Sequence, residues 1–449
     1  MVKTIAQALT QVKDELPRRI EQHVHSYLAE HPEWVWRDRE LNPLALALLF
    51  ITQVLHGNTA ITHLRHLGAM RCSATAYCNA RMRLPLALLE HLVTAVTHEL
   101  LPESDDACRW RGHRVWRGDG TGFSMPDTPE LQAHFGQPGQ QQPGCGFPVA
   151  SLLVLCNQAG FIAKTVAAPL RTHEASQLIR LHDQWGPGDV LVYDRAGCSY
   201  AHLALLLQQE MHGVLRMHQK QIVSFRLGRK HKRQFGKRQR AGKPNSQWIK
   251  RLGKHDQLVR WFKPAGKPRW MTQEQYDALP DSLVLRELRY TIKRRGCRSK
   301  VITLVTTLQD PRKYPADELA EQFRGRWEIE TSFGHLKTTM GMDVLKCKSV
   351  EGVLKELAVF VLVYNLVRLV MLRAAQRQKV PADRISFIDA LRWLRDARDG
   401  GVVMALIVNP KRPGRVEPRV IKRRMKEYPL LKRPRDELRQ LLLSGTLAA

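Results

Sequence analysis

The sequence has no CxxC pair and no zinc-ligand spacing. Its eight cysteines (Cys72, Cys78, Cys108, Cys145, Cys156, Cys198, Cys297 and Cys347) are scattered singly. That excludes a zinc ribbon and fits reduced, mostly buried thiols in a cytosolic protein. The opening MVKTIAQALTQVKDELPRR lacks the apolar core of a secretory signal. Long apolar runs are missing too: the longest, Leu44–Ile51 and Leu357–Tyr364, fall well short of the roughly 20 residues of a membrane span. A soluble cytoplasmic protein with no membrane partner is therefore expected. Acidic residues are scarce. Against 71 Lys+Arg stand 42 Asp+Glu, a formal charge of +29. Such an excess points to a polyanionic partner, held by neutralised phosphates and released counterions, and so to nucleic acid.

At 449 residues the chain can form two or three domains with a sizeable core. Residues 1–108 read as helical. Asn42-Pro43 opens a helix that closes at Gly57, and two short helical segments follow, Thr59–Leu67 and Ser73–Leu84. The second carries Arg81 and Arg83 after a Gly-containing turn, the pattern of a helix-turn-helix that reads DNA. From 109 to 219 the period changes. The spacing predicts strands at His113–Asp119, Val149–Cys156, Phe161–Ala168, Asp189–Asp194 and Gly213–His218. Helices are expected at about Glu174–Trp185 and Tyr200–His212. That order describes a mixed α/β sheet.

Residues 220–312 read as a β-rich insertion with a long basic loop. Arg226–Arg251 holds 11 Lys/Arg, Lys230 and Arg233 among them, and no acid. With Trp248, Trp261 and Trp270 nearby, this stretch is expected to bind nucleic acid. Residues 313–375 return to helix. Val353–Met371 is apolar on nearly every side and is expected to be a central core helix. Residues 376–449 form a basic C-terminal region.

The chain turns on Phe323 to Lys337, FRGRWEIETSFGHLK. On one helix, at about 100° per residue, Phe323, Arg326, Glu330 and Lys337 fall within roughly 60° of one another. Ile329, Phe333, Leu336 and Met340 form an apolar stripe facing the core. By itself this is a helical ion pair, Arg326–Glu330, on a solvated face. Two further carboxylates change its meaning. Asp119 ends the first strand, bracketed by Gly118 and Gly120, and Asp194 ends the fourth. If those strands are adjacent, both aspartates emerge at one edge, and a helix packed over it brings Glu330 to them. Such a cluster requires a cation or raised pKa values. Hard oxygen donors suit Mg²⁺ or Mn²⁺, and two ions can drive phosphoryl transfer.

These residues resemble the DDE transposases of prokaryotic insertion sequences, specifically the insertion-sequence-four group. That group carries a Tyr-x2-Arg-x3-Glu-x6-Lys signature. Here Phe323, Arg326, Glu330 and Lys337 match it, with phenylalanine in the tyrosine's place, and Asp119 lies in GDGT and Asp194 in VYDRAG. The resemblance spans about residues 40–375. It implies an RNase H-like catalytic core interrupted by a β-rich insertion, a helical N-terminal region that binds DNA ends and a helical C-terminal region for dimerisation or end contact. Asp119, Asp194 and Glu330 would hold two Mg²⁺ ions, Arg326 and Lys337 would grip phosphates, and an insertion tryptophan would stack a flipped base. The implied activity is cleavage at the terminal inverted repeats and joining to target double-stranded DNA by a homodimer on paired ends. An inactivated or non-catalytic DNA-binding protein, or a nuclease on the same core, would share many of these residues.

Overall fold

The computed structural model describes residues 17–36, 39–67, 72–106, 108–232, 243–292, 300–396, 405–410 and 431–445. Five helices open the chain: α1 (17–30), α2 (Pro43–Leu55), α3 (Ile61–Leu67), α4 (Ala74–Arg83) and α5 (Leu86–Asp106). Asn42 caps α2 by accepting from the Ala45 amide at 2.8 Å, and Ser73 caps α4 by accepting from Ala76 at 3.1 Å. Both satisfy amides that the first helical turn leaves without partners. The turn between α3 and α4, residues 68–71, lies outside the described residues.

Next come β1 (Val115–Ser124), α6 (Pro129–Phe135), β2 (Val149–Asn157), β3 (Ile162–Pro169), α7 (Glu174–Ile179), β4 (Val190–Tyr193), α8 (Tyr200–Gln208) and β5 (His212–Arg216). The strands lie in the order β3-β2-β1-β4-β5, with β2 antiparallel to its neighbours and β1, β4 and β5 mutually parallel. This is the mixed sheet expected from the sequence, with the first and fourth strands adjacent.

The β-rich stretch supplies β6 (Gln247–Gly253), β7 (Asp256–Phe262), the short α9 (Gln273–Asp277), β8 (Ser282–Ile292) and β9 (Lys300–Thr306). These strands continue the same sheet. β9 pairs antiparallel with β5, and β8, β7 and β6 follow outward, giving nine strands in one sheet. The antiparallel β9 turns the exposed edge of the parallel core into an interior position.

The chain then forms α10 (Ala316–Gly325), α11 (Trp327–Gly334), α12 (Val350–Gln378) and α13 (Phe387–Asp396), with α14 (Arg435–Leu443) near the C-terminus. α12 is long and apolar enough to cross a membrane by composition, but it is enclosed by protein. It packs against α5, α13 and α2, and one continuous apolar cluster joins it to the N-terminal helices and one face of the sheet. α10 covers the other face over β4 and β5, where Phe323, Leu319 and Tyr314 pack on Val115, Val190, Val192 and Val214.

Candidate active site

Strand parity sets the site, because alternate residues of a strand face opposite sides. On β1, Val115 belongs to the cluster under α10 and Trp116 to the cluster on the opposite face. Arg117 and Asp119 therefore face the α10–α11 side. On β4, Val190 and Val192 face the same side, and Asp194 continues their parity. The parallel register pairs Val115 with Val190 and Arg117 with Val192, an offset that sets Asp119 beside Asp194. β1 does not end at Asp119 as its glycines suggest. It runs on to Ser124, paired from Trp116 onward with β2, and only its pairing to β4 stops at Arg117. The two aspartates thus lie just past the end of the parallel ladder, where backbone bonds no longer join the strands.

The helix above is held down at three points. Glu318 of α10 accepts from Trp110 Nε1 at 3.0 Å and from Arg111 Nε at 2.6 Å. The Arg111 bond, then the Trp110 bond, hold its carboxyl down to about 2. Arg117, nearly buried, pairs with Glu328 of α11. Its guanidinium passes where a Cβ on Gly325 would lie, so any other residue there would have to displace the Arg117 side chain. Arg326 donates to Asp119. The signature helix stays helical through Arg326 but tightens there, Arg326 N donating to Phe323 O at 3.2 Å and Ile329 N to Arg326 O at 3.0 Å. α10 ends at Gly325, α11 begins at Trp327, and His335–Thr339 widens into a π-turn that carries Lys337. π-turns of this kind recur at functional sites.

Arg326 is the central cation. Its side chain is 6% exposed, contacts Asp119, and approaches Glu330 Oε1 at 4.0 Å. Its Nε finds no acceptor among the described residues. Burial raises the Asp119 carboxyl above the usual range, Arg326 opposes that shift, and the neighbouring Asp194 adds to it. Asp194 faces Arg216 at 3.5 Å and Arg195 at 3.9 Å. Glu330 is half-exposed, and Lys337 Nζ pairs with Asp343 at 3.1 Å. The segment after the π-turn returns to β1: Ser124 N donates to Asp343 O at 3.0 Å and Leu345 N to Ser124 O at 2.9 Å.

Among the described residues, no three carboxylate, imidazole or thiol groups converge closely enough to enclose a metal ion. Arg326 stands between Asp119 and Glu330 and takes the role a bound cation would have. The donor set itself, three carboxylates on one side of the sheet, has the hard-oxygen chemistry that Mg²⁺ or Mn²⁺ requires.

Three residues expected to touch DNA have other roles here. Phe323 is 1% exposed and packs in the apolar cluster between α10 and the sheet, with the Arg326 guanidinium 5.7 Å from its ring. Trp261 is buried and donates to Glu287 at 3.1 Å, because β7 is an interior strand. Arg81 turns inward from α4, donating to Gln53 Oε1 at 3.0 Å and Cys347 Sγ at 3.4 Å, over the Phe50 ring. Each of these side chains is engaged within the fold. Arg83 and Lys230 are exposed, and Trp248 is half-buried on the edge strand β6. Arg233 and much of the basic loop lie outside the described residues, as does most of the basic C-terminal stretch.

The sequence reading missed Glu174 and Tyr193. Tyr193 is the last residue of β4 and fully buried, and its hydroxyl donates to Glu174 at the start of α7. Burial and the two aspartates raise the Glu174 carboxyl, with the Tyr193 bond opposing. A tyrosine immediately before Asp194 was the available signal.

A family model described as Transposase DDE domain matches residues 111–366, more than half of the chain. The chain is 26% identical over 378 residues to the transposase InsG for insertion sequence element IS4 of Escherichia coli, covering 79% of this chain and 78% of that protein. A cryo-EM structure of the piggyBac transposase synaptic complex with hairpin DNA aligns at a TM-score of 0.43 and 10% identity, covering 87% of this chain and 79% of that one. DDE transposases catalyse DNA cleavage and strand transfer and generally use divalent metal ions. The chain belongs to that family, as a DNA transposase of the insertion-sequence-four group.

Proposed function

We propose that Asp119, Asp194 and Glu330 are the catalytic carboxylates of a transposase that cuts at the ends of its own insertion sequence and joins them to target DNA. The observation that carries this reading is the shared offset of Asp119 and Asp194 on adjacent parallel strands, under the helix bearing Arg326 and Glu330. When bound, two Mg²⁺ ions, or Mn²⁺ in their place, stabilise charge on the attacking and leaving oxygens of an in-line displacement. Arg326 neutralises Asp119 in the absence of DNA. Its guanidinium then moves to a phosphate oxygen near the cut, a bidentate partner it suits well. Lys337 leaves Asp343 in the same way and adds a second phosphate contact.

The DNA surface continues over Arg83 on α4, over Lys230 and over Trp248 on the edge strand β6, and Arg233 is a further phosphate contact of the same basic run. Trp248 and Trp270, both half-buried, are aromatics available to stack on an unpaired base. The assembly is a homodimer on paired terminal inverted repeats, in the cytoplasm with the nucleoid. The test is a duplex carrying the terminal repeat, incubated with the protein, Mg²⁺ and a target plasmid. A specific nick followed by joining of the new 3′-OH to the plasmid is the expected result. Nicking without joining would make the protein a nuclease, and binding without nicking would make it a non-catalytic DNA-binding protein.

A further inference from the structure

The aspartates lie past the end of the β1–β4 ladder, so no backbone bond joins them directly, although β1 stays paired with β2 at Asp119 and β4 with β5 up to Tyr193. The opposite face of the sheet supplies a further constraint on their separation. Tyr193 belongs to the apolar cluster on that side, and its ring lies against the glycines flanking both aspartates. A Cβ on Gly118 would sit 2.6 Å from the ring, and one on Gly197 would sit 2.8 Å from it. Neither position therefore accepts a side chain while the ring stays in place. The hydroxyl donates to Glu174, and the Glu174 carboxylate lies 3.4 Å from where a Cβ on Gly120 would be. One ring and one carboxylate thus touch the residue before Asp119, the residue after it, and the turn that follows Asp194. His202 secures the same turn by donating from Nδ1 to the Gly197 carbonyl at 2.8 Å.

Setting a third carboxylate beside two others is unfavourable unless it does something specific. A clamp explains it: Glu174 joins α7 to β4 through a neutral donor and so adds no cation that would compete for the aspartates. The glycines on either side of Asp119 then have a physical reason, since they admit the ring and the carboxylate.

We propose that Tyr193 and Glu174 form a positioning pair that sets the separation of Asp119 and Asp194 from the back of the sheet. This rests on the reading of those aspartates as catalytic. Positions in such a site matter at the level of an ångström.

The test measures nicking of an end duplex in Mg²⁺, separating kcat from KM, with thermal melting alongside. Tyr193→Phe and Glu174→Ala should each lower kcat about tenfold or more, with KM for the duplex and the melting temperature close to the parent's. Gly118→Ala, which displaces the buried ring, should lower kcat at least as far, with a lower melting temperature. Glu174→Gln, whose amide oxygen still accepts from Tyr193, should stay within about threefold of the parent. The double variant Tyr193→Phe/Glu174→Ala should be no slower than the slower single, because the two act as one unit. Asp119→Asn on the same duplex separates the two ideas. If it nicks at the parent rate, the catalytic reading fails. If it is inactive while Tyr193→Phe and Glu174→Ala match the parent, the positioning pair alone is overturned. Glu174→Gln falling as far as Glu174→Ala would also overturn the pair, because charge rather than the hydrogen bond would then be what matters.

Discussion

Removing Arg326 should strand a charge. Its guanidinium, 6% exposed, is the strongest partner of Asp119, which is 20% exposed and already faces the charge of Asp194. Arg326→Ala therefore leaves a mostly buried carboxylate with a like charge beside it and, among the described residues, the Gly120 amide at 3.0 Å as its remaining donor. Breaking a fully buried ion pair by removing one partner costs about 3–5 kcal/mol. Asp119 keeps a fifth of its exposure, so a loss of about 2–3 kcal/mol is expected. Asp119→Asn on its own should cost little, because the amide oxygen still accepts from Arg326 and the repulsion with Asp194 is gone. The double variant Arg326→Ala/Asp119→Asn should recover most of the loss, a coupling of about 1.5 kcal/mol or more. Urea denaturation followed by circular dichroism, with unchanged slopes, measures all four corners of the cycle. A coupling near zero would mean that the contact carries no energy and that Arg326 is not the resident counter-cation of the site.

The buried His202 and the half-buried His182, with Nε2 atoms 3.1 Å apart, should make stability depend on pH. Burial pushes both down from the ordinary 6.5, His202 to about 4 and His182, with His202 adding to the shift, to about 3. Below pH 6.5 the unfolded chain takes up protons that the folded one refuses, so stability is fully present above 6.5 and falls from there toward pH 4. His202→Gln should flatten that slope in melts at pH 7.5 and 5.5, and an unchanged slope would refute it. Phe323→Ala empties a ring-sized space under α10 and should cost about 3–5 kcal/mol in urea titrations. A loss below 1 kcal/mol would return Phe323 to a surface role. Trp261→Phe leaves Glu287 with its Gln257 and Ser246 donors. It should cost about 1 kcal/mol with gel-shift affinity for the end duplex unchanged, and weaker DNA binding would contradict the buried role.

Element order was legible in the sequence because it depends on residue type and period. The cap at Asn42, the core helix α12 and the adjacent strands that carry Asp119 and Asp194 are such features. Side-chain direction was less legible. Arg81 and Arg83 are two residues apart on one short helix, yet one turns in to Gln53 and the other is exposed. Nothing in the basic pattern separates them. Trp261 looked like a base-stacking residue because the basic run was read as one surface, whereas β7 lies inside the sheet between β6 and β8. The GDGT glycines looked like the end of a strand. They are instead the places where β1 admits Tyr193 and Glu174 while continuing to pair with β2.

The most direct test of the catalytic assignment is strand cleavage by Asp119→Asn, Asp194→Asn and Glu330→Gln on one terminal-repeat duplex in Mg²⁺, with end binding followed by gel shift. Each amide keeps the shape of its side chain and removes the charge that a metal requires. The expected result is that all three bind the end nearly as the parent does and cleave nothing. Cleavage at the parent rate by any one of them would remove that residue from the site, and parent-rate cleavage by Glu330→Gln would sever the signature helix from the chemistry.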